Sequence, residues 1–351
     1  MARSRGTERS SGRTKRRPTM DDVAQRVGVS RTLVSLIFSN KPGAGEETKQ
    51  RVLEAARELG YAPDSAARLL ARGRSRTLGV LVDVQQRFQA DLVTGIYPVA
   101  EAAGYEVLLG VNAPGRDERE AIEALLQHRC EGLILLGTSA DEGYLDALAE
   151  RAVVVVVGRP MADRGRFDSV LTADAKGISA AVDHLVDLGH RRIVHIDGGD
   201  APASRERRDA YVATMHAHGL DAETRVIPGA HDEEAGIAAG KLLLAEDTLP
   251  TAVLAGNDRC AVGLMDTLVR GHVDVPGKVS IVGYDDSAFA ALSRIDLTTV
   301  RQDADGLARY AVEYAIRRLE NADAEPAEKV LDPTLVVRGS TASPAVEVAA
   351  S

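Results

Sequence analysis

Arg31, Thr32, Ser35 and Leu36 fall on one side of the helical stretch RTLVSLIF, and their types match what duplex DNA presents. A guanidinium can donate two hydrogen bonds to guanine O6 and N7, hydroxyls reach base edges or phosphate oxygens, and an isobutyl group rests on a thymine methyl. No comparable set for covalent chemistry occurs in the chain. There is no G-x-S-x-G nucleophile turn, and Gly240-Lys241 is followed by Leu242 where a phosphate-binding loop needs Ser or Thr. His184, His190 and His195 lie in and beside DLGHRRIVHI at spacings that fit no single-face metal site. Cys130 and Cys260 stand far apart, the usage of reduced thiols in a cytosolic protein. An enzyme, a metal centre and a bound cofactor are therefore not expected.

Those four residues need a helix held outward by a second one, and the preceding segment supplies it. Thr19 followed by Asp22 is a helix-start signal, and the acids suit the positive end of the helix dipole. Val23, Ala24 and Val27 form an inward face, Gly28 ends the helix in a left-handed conformation, and Val29 fills the corner. Ser30 caps the second helix, whose buried stripe is Val34, Ile37 and Phe38. After the loop Asn40-Lys41-Pro42-Gly43, a third helix is predicted over roughly Glu46 to Leu59, with Val52, Leu53, Ala56 and Leu59 inward and Gly60 as its stop.

A helical bundle with no nucleic acid partner would show the same caps and stripes, but the charge distribution favours DNA. The net charge of −9 conceals a division: residues 1–76 hold 17 Lys+Arg against 8 Asp+Glu, and the remainder holds 26 against 44. A basic head can neutralise phosphates and release counterions, while an acidic body is repelled by the duplex. Residues 1–18 are rich in Arg, Lys, Ser and Gly with hardly an apolar side chain, which predicts a disordered arm. A reading head is expected over residues 19–62.

Residues 63–76 begin with Pro63 and the N-cap signal Asp64, followed by good helix formers. Two turns are too few to stand alone in water, so this segment is expected to become helical only by pairing. Beyond it, short apolar runs alternate with helix-period segments, the mark of an α/β fold of parallel sheets flanked by helices. Strands are predicted at 78–82, 106–111, 132–136, 153–158, 192–196, 251–255 and 280–285, with helices such as Asp91–Ala103, Ala175–Leu188 and Cys260–Arg270 between them. Roughly 270 residues are too many for one core, so two lobes are expected, with a ligand cleft at the carboxyl ends of their strands. No signal peptide and no run near ~18 apolar residues is found, so the expected location is cytoplasmic, with no membrane partner.

The order GVS through the second helix, NKPG, EETKQRVLEAARELGY and APDSAARLLARGRSRTLGV resembles the head of the LacI/GalR family of bacterial transcription regulators, from about Thr19 to about Ser343. The resemblance implies a helix-turn-helix domain, a hinge helix, and a two-lobe periplasmic-binding-protein-like core over residues 77–343. Lobe 1 is then about 77–171 and 303–328, lobe 2 about 172–300 and 329–343, and 344–351 a tail. The final strand, near Val330 to Val337, is expected in lobe 2. It implies that two hinges pack over the minor groove, with Ala67 and Leu70 against the bases and Leu70 as the wedge. Ser30 joins the four residues above at the DNA. It also carries an effector site onto this chain: Arg207 in SRERRDAY, Asn257 in AGND, Asp285 in GYDD, Gln302 in VRQD, His231 where relatives place an aromatic, and Phe88 and Gln89 in a loop that lacks the usual Asn-Pro-Phe-Phe. A guanidinium with amides and acids suits a polyol, so a sugar or sugar derivative is expected, with a purine-like or organic-acid ligand as alternatives, or a regulatory protein docked on the core in place of any small molecule. Leu33 and Leu36 stand where many relatives have threonine and arginine, which implies a different half-site within a palindromic operator. One reading helix sees too few base pairs, so a homodimer is expected. The short tail, without a leucine heptad, argues against a tetramer. Repression rests on the habit of the family.

Overall fold

Thr19 opens the first helix by a reciprocal pair of bonds. The computed structural model describes residues 18–38, 42–61, 74–113, 115–161 and 166–345. In α1 (Met20–Val27) the Thr19 backbone N–H donates to Asp22 Oδ2 at 2.7 Å, and the Asp22 N–H donates back to Thr19 Oγ1 at 3.4 Å. Gly28, at φ 75°, donates to Ala24 O and turns the chain into α2 (Arg31–Phe38). With α3 (Glu46–Leu59) these helices enclose a core of Val23, Ala24, Val27, Val34, Ile37, Val52, Ala55 and Ala56. Two expectations change here. Leu53 is 45% exposed and Ala55 takes the inward place, because Val52, Ala55, Ala56 and Leu59 share the three-and-four spacing of one face while Leu53 is turned a full residue away. Phe38 is half-buried, packed 5.7 Å from the Tyr61 ring at the edge of this core. Residues 62–73, with Ala67 and Leu70 of the expected hinge, lie outside the described residues, as does the arm through residue 17.

The second unit, from Arg76 onward, contains two six-stranded sheets. The first is built from β1 (Thr77–Asp83), β2 (Glu106–Asn112), β3 (Gly132–Leu136), β4 (Val153–Val157), β5 (Asp168–Thr172) and β11 (Glu328–Leu331), all parallel, in the order β11-β5-β4-β3-β1-β2. Side-chain alternation lets the central strands β1, β3, β4 and β5 be buried on both faces. Leu78, Val80, Val82, Ile134 and Val155 pack on α4 (Arg87–Ala102) and α11 (Ala304–Glu320), while Leu81, Leu133, Leu135 and Val154 pack on α5 (Glu118–Gln127) and α6 (Glu142–Ala149). Each such aliphatic side chain contributes about 1.5–3 kcal/mol on leaving water, which is why these strands read as continuous apolar runs.

The second sheet has β6 (Ile193–Ile196), β7 (Arg225–Ile227), β8 (Ala252–Ala255), β9 (Ser280–Asp285), β10 (Thr298–Arg301) and β12 (Thr334–Val336), in the order β12-β10-β9-β8-β6-β7 with only β12 antiparallel. One face is covered by α7 (Asp174–Asp187) and α8 (Ser204–Ala217), the other by α9 (Glu233–Leu244) and α10 (Asp258–Arg270). The backbones of α9 and α10 touch: a Cβ at Gly236 would overlap Cys260 O and Leu264 N, so only glycine fits there.

The chain passes between the sheets three times, at Thr172 to Asp174, at Arg301 to Ala304, and at Leu331 to Thr334. The third crossing differs from the expected division at 328/329. Lys329, Val330 and Leu331 pair with Val170, Leu171 and Thr172 in the first sheet, so that lobe keeps the chain through Leu331. Pro333, with no N–H to offer a ladder, ends the strand, and the chain re-enters the second sheet at Thr334.

Candidate functional site

In the head, the Ser30 hydroxyl accepts the Leu33 N–H at 3.1 Å and so caps α2. Arg31 and Thr32 are exposed at the first turn of that helix. Ser35 and Leu36 are half-buried rather than fully outward, since Leu36 leans on the following loop, 3.5 Å from where a Cβ of Gly43 would stand. Leu33 packs against the head core. The Arg31 Nε lies 3.7 Å from Asp21 Oδ1, both side chains more than 60% exposed, a pairing too solvated to hold the guanidinium in place. Arg51 ties α3 to the turn by donating to Val27 O at 3.0 Å.

In the core unit, Phe88, Gln89, Arg207, His231, Asn257, Asp285 and Gln302 all line one cavity of about 270 Å³, between the two sheets at their carboxyl ends. Arg207 is buried on α8. Its Nε donates to Asp174 Oδ1 at 2.7 Å and its Nη1 to Gly256 O at 3.0 Å, and its Cζ stacks 3.6 Å from the Tyr284 ring centre. Burial works against this cation, but Asp174, Tyr284 and Asp285 more than offset it and hold the group above the ordinary arginine value.

Asp285 ends β9 with φ 112°, a conformation non-glycine residues avoid, and Asp286 follows at φ 53°. Burial pushes the Asp285 carboxyl up to about 7 although Arg207 pulls the other way. Gln302 Nε2 donates to Asp285 Oδ1 at 2.8 Å, and Gln302 Oε1 accepts from Thr172 Oγ1 at 2.6 Å. Asn257 is partly committed elsewhere. Its Oδ1 accepts the Cys260 N–H at 2.9 Å, which caps α10, and its Nδ2 donates to His231 O at 3.2 Å. Burial lowers the His231 imidazole to about 3, with the Arg207 cation acting in the same direction, so the ring is neutral. Its Nε2 is buried without a hydrogen-bond partner among the described residues and occupies, with Ser204 Oγ, the space a Cβ on Gly198 would need. Gln89 Oε1 accepts the Asp83 N–H at 2.7 Å, and Phe88 sits half-buried against the first lobe's helices.

Asp83, Asp174 and Asp200 also line the cavity, three carboxyl groups beyond those expected from the sequence. Asp83 and Asp174 end β1 and open α7, a placement at strand ends that could have drawn attention to them. Asp258, beside Asn257, faces away from the cavity. It accepts Ser287 N–H and Thr299 Oγ1, and burial lifts its carboxyl to about 6. The three histidines end in separate structural bonds, His184 to Thr341, His190 to Ala342 O and His195 to Leu254 O. Both cysteines are buried and unpaired, and no cluster of metal-ligating groups occurs among the described residues. No helix among the described residues is long and apolar enough to cross a membrane.

A capped bihelical head and a two-lobed parallel-sheet core with a polar cleft, in one chain, are the parts of a DNA-binding transcriptional regulator. Residues 19–64 match the domain described as bacterial regulatory proteins, lacI family, and residues 182–341 match a periplasmic binding protein-like domain. The chain is 32% identical to the transcriptional regulator GalR of Escherichia coli K12, over 94% of this chain and 97% of that protein. It is likewise 32% identical to the ribose operon repressor of the same organism, over 92% of this chain and 99% of the relative. Among solved structures, the lac repressor dimer bound to operator and the anti-inducer ONPF superposes with a TM-score of 0.80 at 25% identity, covering 93% of this chain and all of that one. The chain belongs to the LacI family of bacterial regulatory proteins.

Proposed function

We propose that this protein is a homodimeric repressor that reads a palindromic operator with α2 of each head and is controlled by a neutral sugar or sugar derivative in the core cleft. The observation that carries the choice of ligand is the charge inventory of the cavity. Among the described residues, four carboxyl groups, those of Asp83, Asp174, Asp200 and Asp285, line it against one guanidinium, that of Arg207, which is already paired with Asp174. An organic acid would meet an excess of negative charge, whereas sugar hydroxyls can donate to Asp285 and accept from Gln302 or Asn257 N–H groups. The relative named as a ribose operon repressor supports the same class. The dimer is supported by the lac repressor dimer on its operator and by the few base pairs one helix can read. Ser30, Arg31, Thr32, Ser35 and Leu36 are the proposed contacts in the major groove. Ala67 and Leu70 are proposed for the minor groove on the family resemblance.

Calorimetry of the intact protein with ribose, galactose, cellobiose, guanine and citrate tests the ligand class. Saturable binding of a sugar that is lost in Asp285→Asn, a substitution of equal shape, supports the reading. Binding of citrate or guanine alone contradicts it, and silence across a wide panel favours control by a protein partner.

A further inference from the structure

Two of the three crossings between the lobes carry cavity-lining side chains, and those crossings are bonded to each other. The first crossing runs from Thr172, the last residue of β5, to Asp174, which holds Arg207 Nε at 2.7 Å. The second contains Gln302, between β10 and α11, whose Nε2 donates to Asp285 Oδ1 at 2.8 Å. Thr172 Oγ1 donates to Gln302 Oε1 at 2.6 Å, with Thr172 6% and Gln302 8% exposed. The third crossing joins the same set, because the Ala173 N–H donates to Leu331 O at 2.8 Å. Thr172 does not line the cavity.

We infer that Thr172 is the positioning residue through which occupancy of the cleft is felt at the crossings. The inference rests on reading the cavity as the effector site. Gln302 has one carbonyl oxygen and two N–H groups, and the Thr172 hydroxyl fixes the oxygen, so the amide turns its N–H groups toward Asp285 and the cleft. A ligand hydroxyl that takes over Asp285 or a Gln302 N–H pulls on an amide anchored at its other end to the first crossing. The relative placement of the two crossings sets the angle between the lobes, so the pull becomes a bias on lobe closure. With the hydroxyl absent, the ligand still meets Asp285, Arg207 and the Gln302 amide, but the second crossing responds without the first. Thr172 therefore governs the coupling of the sites more than the affinity of either.

Thr172→Val keeps the shape and strand preference of the residue and removes the hydroxyl, and Thr172→Ser restores it. The intact protein is titrated by calorimetry with whichever of ribose, galactose and cellobiose the wild type binds, and its dissociation constant for a duplex recovered by selection is measured with and without that sugar at saturation. The expected result is a valine variant whose sugar affinity lies within about threefold of wild type, but whose ratio of the two duplex constants is reduced roughly fivefold or more toward unity, with the serine variant close to wild type. A merely structural role would lower the melting temperature and leave that ratio alone. Sugar binding with an unchanged ratio in the valine variant overturns the inference and leaves the cleft reading standing. Failure of the wild type to bind any of the sugars overturns the cleft reading, and the inference with it.

Discussion

Arg31 and Asp285 are the residues at which the two activities are most exposed to test. Arg31 stands at the solvent-facing start of α2 in a solvated contact with Asp21, so little would be given up in the proposed contact with a guanine. Arg31→Ala should weaken binding to the selected duplex by about 1–3 kcal/mol per half-site and relax discrimination at one base pair, read by competition among single-base variants. Equal discrimination by the variant and wild type would remove Arg31 from the reading surface. Asp285 carries the pH dependence. Its carboxyl titrates near 7 when folded against 3.8 as an isolated group, so the folded state holds the extra proton between those values. Stability from this group is greatest below about 4 and falls as pH rises toward 7, because ionisation in the cavity is opposed by burial. If the proposed sugar donates a hydroxyl to the ionised form, its affinity should rise from pH 6 to pH 8, with proton release at pH 6 visible as a buffer-dependent heat. A flat profile in the wild type would show that the ligand does not engage this carboxylate. That Arg207 faces the cleft was legible, but its partner was not: Asp174 lies 33 positions away, and the packing of α7 on α8 brings the two together.

Elements were legible where one face, or both, is thoroughly apolar. The LGVLV, GLILL and VVVVV runs mark strands buried on both sides, and the Thr19 box and Gly28 mark α1 because each satisfies a local backbone need. The strands that escaped notice, β5, β7 and β10, are three to five residues long and carry Asp, Arg or Thr, because they lie at a sheet edge or lead into a crossing. Leu53 misled for a related reason: in a helix as polar as α3 an apolar residue next to the true stripe looks as if it belongs to it. The contact between α9 and α10 provides a prediction at this scale. Gly236→Ala places a methyl group against the backbone of Cys260 and Leu264, which cannot retreat as a side-chain tip could. It should destabilise the core unit by about 1–3 kcal/mol in urea unfolding. It should also weaken sugar binding, since His231 precedes α9 and Asn257 caps α10. Unchanged stability would mean that the two helices can separate freely.

At the scale of the molecule, the first 76 residues are net basic, 17 Lys+Arg against 8 Asp+Glu, and the body is net acidic, 26 against 44. Binding to random duplex should therefore fall steeply between about 50 and 200 mM salt, as it does when several phosphates are neutralised. Sedimentation should give a dimer at the concentrations where the selected duplex is bound. A monomer there would contradict the palindromic reading. Control of the head's affinity for DNA by occupancy of the core cleft is tested by fluorescence anisotropy of a labelled, selected duplex titrated with the intact protein. With a sugar that calorimetry shows to be bound, the duplex dissociation constant should change by about 5–150-fold in the wild type and stay put in Asp285→Asn at the same sugar concentration. A duplex affinity indifferent to a sugar that is demonstrably bound would show that cleft and head are not coupled.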